Sequence, residues 1–221
     1  LTDIARVDHF RAFQAGWQVP AGAETAIHGR WVPGPGRSLF DAVRAELGEI
    51  AIIVEDLGTI TPDVHALRAE LGYPGMKVLQ FAFGGASDNP YLPHNYEPHC
   101  VVYTGTHDND TSVGWYQSAP ERERDFVRRY LRISGENIAW DMIRAVWNSV
   151  AVFALAPMQD CLDLPTAARM NLPGRLGGNW SWRMKADDLS ARLQARIKEQ
   201  NTLYRLTVGP EKSVPPKIPT Y

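Results

Sequence analysis

The chain has 221 residues, 44% hydrophobic and 22% charged, which is the balance of a folded globular protein and excludes disordered and collagen-like classes. A formal net charge of -2 without a long basic run argues against nucleic acid as a partner. Two cysteines, Cys100 and Cys161, are too few for a disulfide framework, and no apolar stretch has the length of a bilayer span, so a cytoplasmic protein without a membrane partner is expected.

A first strand is expected over Asp3 to His9. It starts so close to Leu1 that the chain reads as a fragment beginning inside an element. A long surface loop follows, marked by Gly16, Pro20, Gly22, Pro33, Gly34, Pro35 and Gly36. Ser38 is placed to cap a helix in which Leu39, Phe40, Val43 and Leu47 recur at helical spacing until Gly48. Ile50 to Val54 is a continuous apolar run rich in β-branched residues, the pattern of a strand buried on both faces of a parallel sheet. Thr61 and Pro62 mark the next helix start, Val64, Leu67 and Leu71 its apolar face, and Gly72 its end.

A strand over Met76 to Phe83, a loop from Gly84 to Asn95 and a buried strand over Cys100 to Thr104 come next. Ser118 and Glu121 have capping-box spacing before a helix carrying Phe126, Val127, Tyr130 and Leu131, and another helix runs from Gly135 to Ser149. Val150 to Ala156 reads as the last strand, Leu189, Leu193 and Ile197 as a final helix, and residues 209–221 as a poorly ordered tail. Five strands alternating with helices predict an α/β fold with a parallel sheet. The glycine-rich phosphate turn of a dinucleotide-binding sheet is missing, which favours part of a (β/α)8 TIM barrel over 1–208, with 209–221 as a tail.

Three acidic clusters close strand-like runs, and a parallel barrel gathers its chemistry at such ends, so one shared pocket is expected. In Arg6-Val7-Asp8 the two charged residues share a strand face, and a guanidinium beside Asp8 favours the ionised carboxylate that a nucleophile at a sugar carbon requires. A structural ion pair closing a strand end gives the same pattern. Glu55 and Asp56 follow an apolar run, where burial favours the protonated form a general acid needs; periodicity leaves open which faces the pocket, and either can cap a turn. Asp108 and Asp110 share parity beside His107, so both remain candidates for a third carboxylate, and turn chemistry also fits. His94, His99 and Cys100 lack metal-ligand spacing. In extended backbone Trp180 and Trp182 would share one face, as a sugar-stacking platform or as core.

Taken in order, these segments resemble the 4-α-glucanotransferases (amylomaltases, disproportionating enzymes) of glycoside hydrolase family seventy-seven. The likeness rests on 6–13 (Arg6-Val7-Asp8-His9-Phe10-Arg11-Ala12-Phe13), on Glu55-Asp56-Leu57-Gly58, on Pro74 to Phe83 and on Asn89-Pro90-Tyr91-Leu92-Pro93-His94-Asn95-Tyr96. It continues through Tyr103 to Thr111, Ala156-Pro157-Met158-Gln159-Asp160, Ala168-Arg169-Met170-Asn171 and Gly178-Asn179-Trp180-Ser181-Trp182-Arg183. The resemblance implies a (β/α)8 barrel of the α-amylase clan, of which this chain would hold about strands four to eight, partnered by the missing N-terminal half. It implies Asp8 as nucleophile, Glu55 as acid/base and Asp108 as transition-state stabiliser. Arg6, His107, Asn179 and Trp180 would bind substrate, with α-1,4-glucans and malto-oligosaccharides as partners and no metal or organic cofactor. A hydrolase of the α-amylase type, or an inactive glucan-binding half-barrel, are the alternatives.

Overall fold

The computed structural model describes residues 2–204 and 206, so the tail expected at 209–221 lies outside the described residues. The chain divides near residue 76 into two compact units, each with its own core.

The first unit runs β1 (Ile4–Val7), a helical turn α1 (Arg11–Gln14), β2 (Ala15–Gln18), β3 (Arg30–Pro33), α2 (Arg37–Leu47), β4 (Ala51–Val54) and α3 (Pro62–Leu71). β1 and β4 pair in parallel, Ile4 opposite Ala51 through Val7 opposite Val54. Phe10, Phe40, Ile52, Val54, Val64, Leu67 and Leu71 form the core beneath them. Each such side chain contributes roughly 1.5–3 kcal/mol on burial. The expected loop after β1 instead contains an antiparallel pair, β2 with β3, in which Trp17 faces Trp31. Its strands are four residues long, too short to show a period among the surrounding glycines and prolines. Ser38 does not cap α2: its hydroxyl donates to the Pro35 carbonyl and lies inside the first turn. Thr61 occupies the N-cap position of α3 without a side-chain cap bond, and Gly72 ends that helix at φ 68°, ψ 28°, the left-handed geometry glycine adopts without penalty.

The second unit carries the sheet order β5 (Gly75–Val78), β6 (Cys100–Tyr103) and β7 (Phe153–Leu155), with β6 and β7 parallel. Its helices are α4 (Ser112–Ser118), α5 (Glu121–Leu131), α6 (Ile138–Trp147), α7 (Met158–Cys161) and α8 (Ala191–Leu203). The strand expected to reach Phe83 stops at Val78 and becomes a 3-10 turn over Leu79–Phe81. That turn buries Gln80, whose amide donates to the Asp110 carbonyl. The capping box at Ser118 is absent: the Ser118 hydroxyl donates back to Gly114 and Trp115 at the end of α4, and Pro120 precedes α5. Side-chain caps are found instead at Thr111, whose Oγ1 accepts the Gly114 N–H at 3.0 Å, and at Ser190, whose Oγ accepts the Leu193 N–H at 3.2 Å at the start of α8. α6 is the best-buried helix, contributing Ile138, Met142 and Val146 to one cluster and Trp140 and Ile143 to another.

Asp160, almost wholly buried in α7, fastens this unit. Its Oδ2 accepts from the Thr104 hydroxyl at 2.5 Å and the Ser112 hydroxyl at 2.8 Å, while Oδ1 accepts the Ser112 N–H at 2.7 Å. The end of β6 and the start of α4 are thereby held to one carboxyl. Burial pushes the Asp160 pKa up, and the three hydrogen bonds pull against it. A raised folded-state pKa means that this stabilising term is complete below the ordinary carboxylate range and is lost as pH rises through the folded value. Asp160→Ala should cost roughly 1–3 kcal/mol by leaving buried donors unpaired. Asp160→Asn, which cannot ionise, should show its largest deficit against wild type at acid pH and a smaller one as pH rises; urea midpoints across pH check both.

Candidate functional site

Asp8 and Glu55 are the residues that follow β1 and β4, so the parallel register sets them at neighbouring strand ends. The ladder continues past the strands: Glu55 N–H donates to the Val7 carbonyl and Phe10 N–H to the Glu55 carbonyl, both at 2.9 Å. Arg6 Nη1 lies 2.8 Å from Asp8 Oδ1, with the Asp8 side chain 73% exposed. Arg6 is steadied from behind by Met76, whose Sδ accepts from Nε at 3.4 Å. The Glu55 carboxylate accepts two backbone donors, His9 N–H on Oε2 at 2.9 Å and Leu57 N–H on Oε1 at 2.7 Å. His9 reaches it from a left-handed backbone, φ 47°. Asp56 turns the other way and is consumed by the scaffold: it is buried, accepts the Met76 N–H at 2.7 Å and pairs with Arg68 at 3.2 Å. Of the two candidates left by periodicity, Glu55 is therefore the one beside Asp8.

In the second unit the loop after β6 carries the other cluster. Asn109 folds it back, its Oδ1 accepting from both the N–H and the hydroxyl of Thr106 at 2.9 Å. Asp110 is spent on structure, accepting the Thr111 N–H at 2.7 Å and the Thr166 hydroxyl at 2.9 Å. Asp108 is exposed, and its Oδ1 accepts from Asn171 Nδ2 at 2.5 Å and lies 3.5 Å from His107 Nε2. Arg169 donates to the Asp108 carbonyl at 2.6 Å, and Asn171 N–H to the His107 carbonyl at 3.0 Å. The His107 ring packs on Trp180, centroids 5.0 Å apart and planes 36° from parallel. A pocket of about 150 Å³ opens here, lined by His107, Asp110, Gln159, Arg169, Met170 and Trp180.

Two expectations change. Trp180 sits at φ 59°, which breaks the extended backbone that would have aligned it with Trp182, so its partner is His107. Asn179 spends its amide within its own loop, accepting the Leu172 N–H at 2.9 Å and donating to the Arg175 carbonyl at 3.0 Å. Arg169 and Asn171 are the supports that residue spacing could not find, since they join Asp108 from more than sixty positions away along the chain. Among the described residues no group of three or more His, Cys, Asp or Glu side chains is arranged to hold a metal ion.

The 4-alpha-glucanotransferase of Thermus thermophilus is 49% identical over 206 residues, 90% of this chain and 41% of that protein. The chloroplastic/amyloplastic 4-alpha-glucanotransferase of Arabidopsis thaliana is 50% identical over 208 residues, 92% of this chain and 36% of that protein. An amylomaltase from Streptococcus agalactiae, solved in complex with acarbose, superposes with a TM-score of 0.86 at 37% identity, covering 90% of this chain and 41% of its own. The chain thus spans about two fifths of the length of these relatives and shares the fold of part of an amylomaltase. With residues 1–190 matched by the sequence model of glycoside hydrolase family 77, described as 4-alpha-glucanotransferase, the chain belongs to that family.

Proposed function

We propose that this chain carries the glucan-transferring chemistry of a 4-α-glucanotransferase, moving α-1,4-glucan segments to the 4-hydroxyl of another glucan or of glucose with retention. The observation that carries the reading is the pair of carboxylates, Asp8 and Glu55, on adjacent parallel strand ends, one beside a guanidinium and the other held by two backbone N–H groups. Asp8, exposed and paired with Arg6, attacks the anomeric carbon and forms a glucosyl ester. Glu55 gives its proton to the departing glycosidic oxygen, then takes one from the incoming 4-hydroxyl. Asp108, oriented by Asn171, binds ring hydroxyls more strongly in the oxocarbenium-like transition state than in the ground state. Trp180 and His107 offer the donor sugar a stacked face, whereas Asn179 shapes their loop. The scheme calls for no metal or organic cofactor, because two carboxyl groups suffice for each displacement.

In this reading β1, β4, β5, β6 and β7 are strands four to eight of a (β/α)8 barrel spanning 1–208, in a cytoplasmic enzyme. The remaining strands would come from residues outside this chain. The match to about 41% of an amylomaltase supports that placement, and the acarbose bound in that structure supports malto-oligosaccharides as ligands.

Incubated with maltotriose, the protein carrying this chain should yield a ladder of shorter and longer products at a constant number of reducing ends. A steady rise in reducing ends would instead mean hydrolysis. Asp8→Asn should lower turnover by about 10³-fold or more. Glu55→Gln should fall comparably on maltotriose yet still form the covalent ester from an α-glucosyl fluoride, whose leaving group needs no proton; mass spectrometry of the intact protein reads the adduct. Loss of adduct formation in Glu55→Gln would remove Glu55 from the acid role.

A further inference from the structure

The antiparallel pair β2 and β3 holds two tryptophans opposite one another, Trp17 and Trp31, with centroids 5.2 Å apart and planes at 64°. Both remain in water over about half their surface, 42% and 51% exposed. Neither ring is loose. Trp17 Nε1 donates to the Ala26 carbonyl at 2.8 Å, and Gly29 approaches so closely that a Cβ there would lie 2.4 Å from the same nitrogen. Trp31 lies under the Arg11 guanidinium, 4.1 Å from its ring centre. That guanidinium also donates to the carbonyl of Thr59, in the loop that follows Glu55. Ring contact across the strands explains the pairing, since cross-strand aromatic pairs stabilise a two-stranded ribbon. It does not explain why two fixed rings stay half in solvent on an element tied by one side chain to the Glu55 loop.

We propose that Trp17 and Trp31 form a stacking platform for an α-1,4-glucan, a subsite for glucosyl units away from the bond being broken. The reading rests on the proposed function and extends it to substrate length. The chemistry fits a sugar chain. Aromatic faces pair with the C–H faces of pyranose rings, and the two inclined planes match successive residues of a curved glucan better than one flat apolar surface. Beside them the Arg11 guanidinium, which lies over the Trp31 ring, is a donor suited to hydroxyl groups. Prior fixing of the rings removes the rotamer entropy that binding would otherwise cost.

The test is calorimetric titration of maltoheptaose into the Asp8→Asn protein, which cannot turn it over. Adding Trp31→Ala should weaken binding roughly tenfold, and Trp31→Phe should restore most of it. Trp31→Leu, which keeps apolar bulk without an aromatic face, should bind as weakly as Trp31→Ala, so a fold defect in the alanine variant does not decide the result. Equal affinity in all variants overturns the platform alone, as does unchanged affinity accompanied by a change in oligomeric state, which marks the rings as a protein contact. Absence of glucan binding by Asp8→Asn with both tryptophans intact overturns the platform together with the functional reading beneath it.

Discussion

The parallel pairing of β1 with β4 governs the first cluster because its hydrogen-bond ladder runs on beyond the last strand residues. Glu55 N–H reaches Val7, Phe10 N–H reaches Glu55, and His9 N–H reaches the Glu55 side chain. The backbone on either side of Asp8 is therefore wrapped around Glu55. This closure demands that His9 adopt φ 47°, a conformation that costs a non-glycine residue about 1 kcal/mol. The bonds it makes possible offset that cost, each net hydrogen bond contributing about 1 kcal/mol and those to a charged oxygen more. Strain of this kind survives where its surroundings over-determine it, and here the determinants are the ladder above and buried Phe10 below.

A division of labour among carboxylates runs through both units. Asp110 and Asp160 each accept two or more hydrogen bonds from the scaffold, Asp56 accepts one and pairs with Arg68, and Asp56 and Asp160 are buried. Asp8 and Asp108 keep open sides, and Glu55 is held only by amides of its own and the neighbouring strand-end loop. The structural set is what makes the exposed set precise in position. Asp160 fixes both ends of the segment from Thr104 to Ser112, so the loop bearing Asp108 is anchored on either side. Asp110 and Asn109 then remove freedom within it.

The buried strands and long helices were legible in the sequence because burial leaves a mark on it: Ile50 to Val54 is a short apolar run rich in β-branched residues, and Val64-Leu67-Leu71 fits only a helical repeat. Short polar elements were not. The Trp17–Trp31 ribbon hid among turn residues, and the strand expected through Phe83 ends at Val78 because Gln80 has a partner in Asp110 that lies far along the chain. The three acidic clusters could be located from sequence, but the choice within two of them depends on partners a single chain pattern does not display. Asp56 is excluded by Arg68 and the Met76 amide, and Asp110 by Thr166. The family likeness points to Glu55 and Asp108, yet it does not say what holds their neighbours Asp56 and Asp110. Asn179 shows the converse: a polar residue within a matched motif whose donors and acceptors serve its own loop.

That loop points to how the second cluster is held. The stretch from Pro165 to Trp182 has little regular structure, and Leu172 and Leu176 stand out in solvent, so apolar burial does not order it. Polar closure does. Asn171 N–H is bonded to His107, Trp180 N–H to Met170, and Arg169 bridges the carbonyls of Asp108 and Asn171. Each bond is modest alone, but they converge on four residues, His107, Asp108, Asn171 and Trp180. Position comes from β6 and Asp160, whereas orientation of the Asp108 oxygens comes from this irregular segment. Because the two are carried by separate parts of the unit, changes in the loop can retune Asp108 while leaving the hydrophobic core intact.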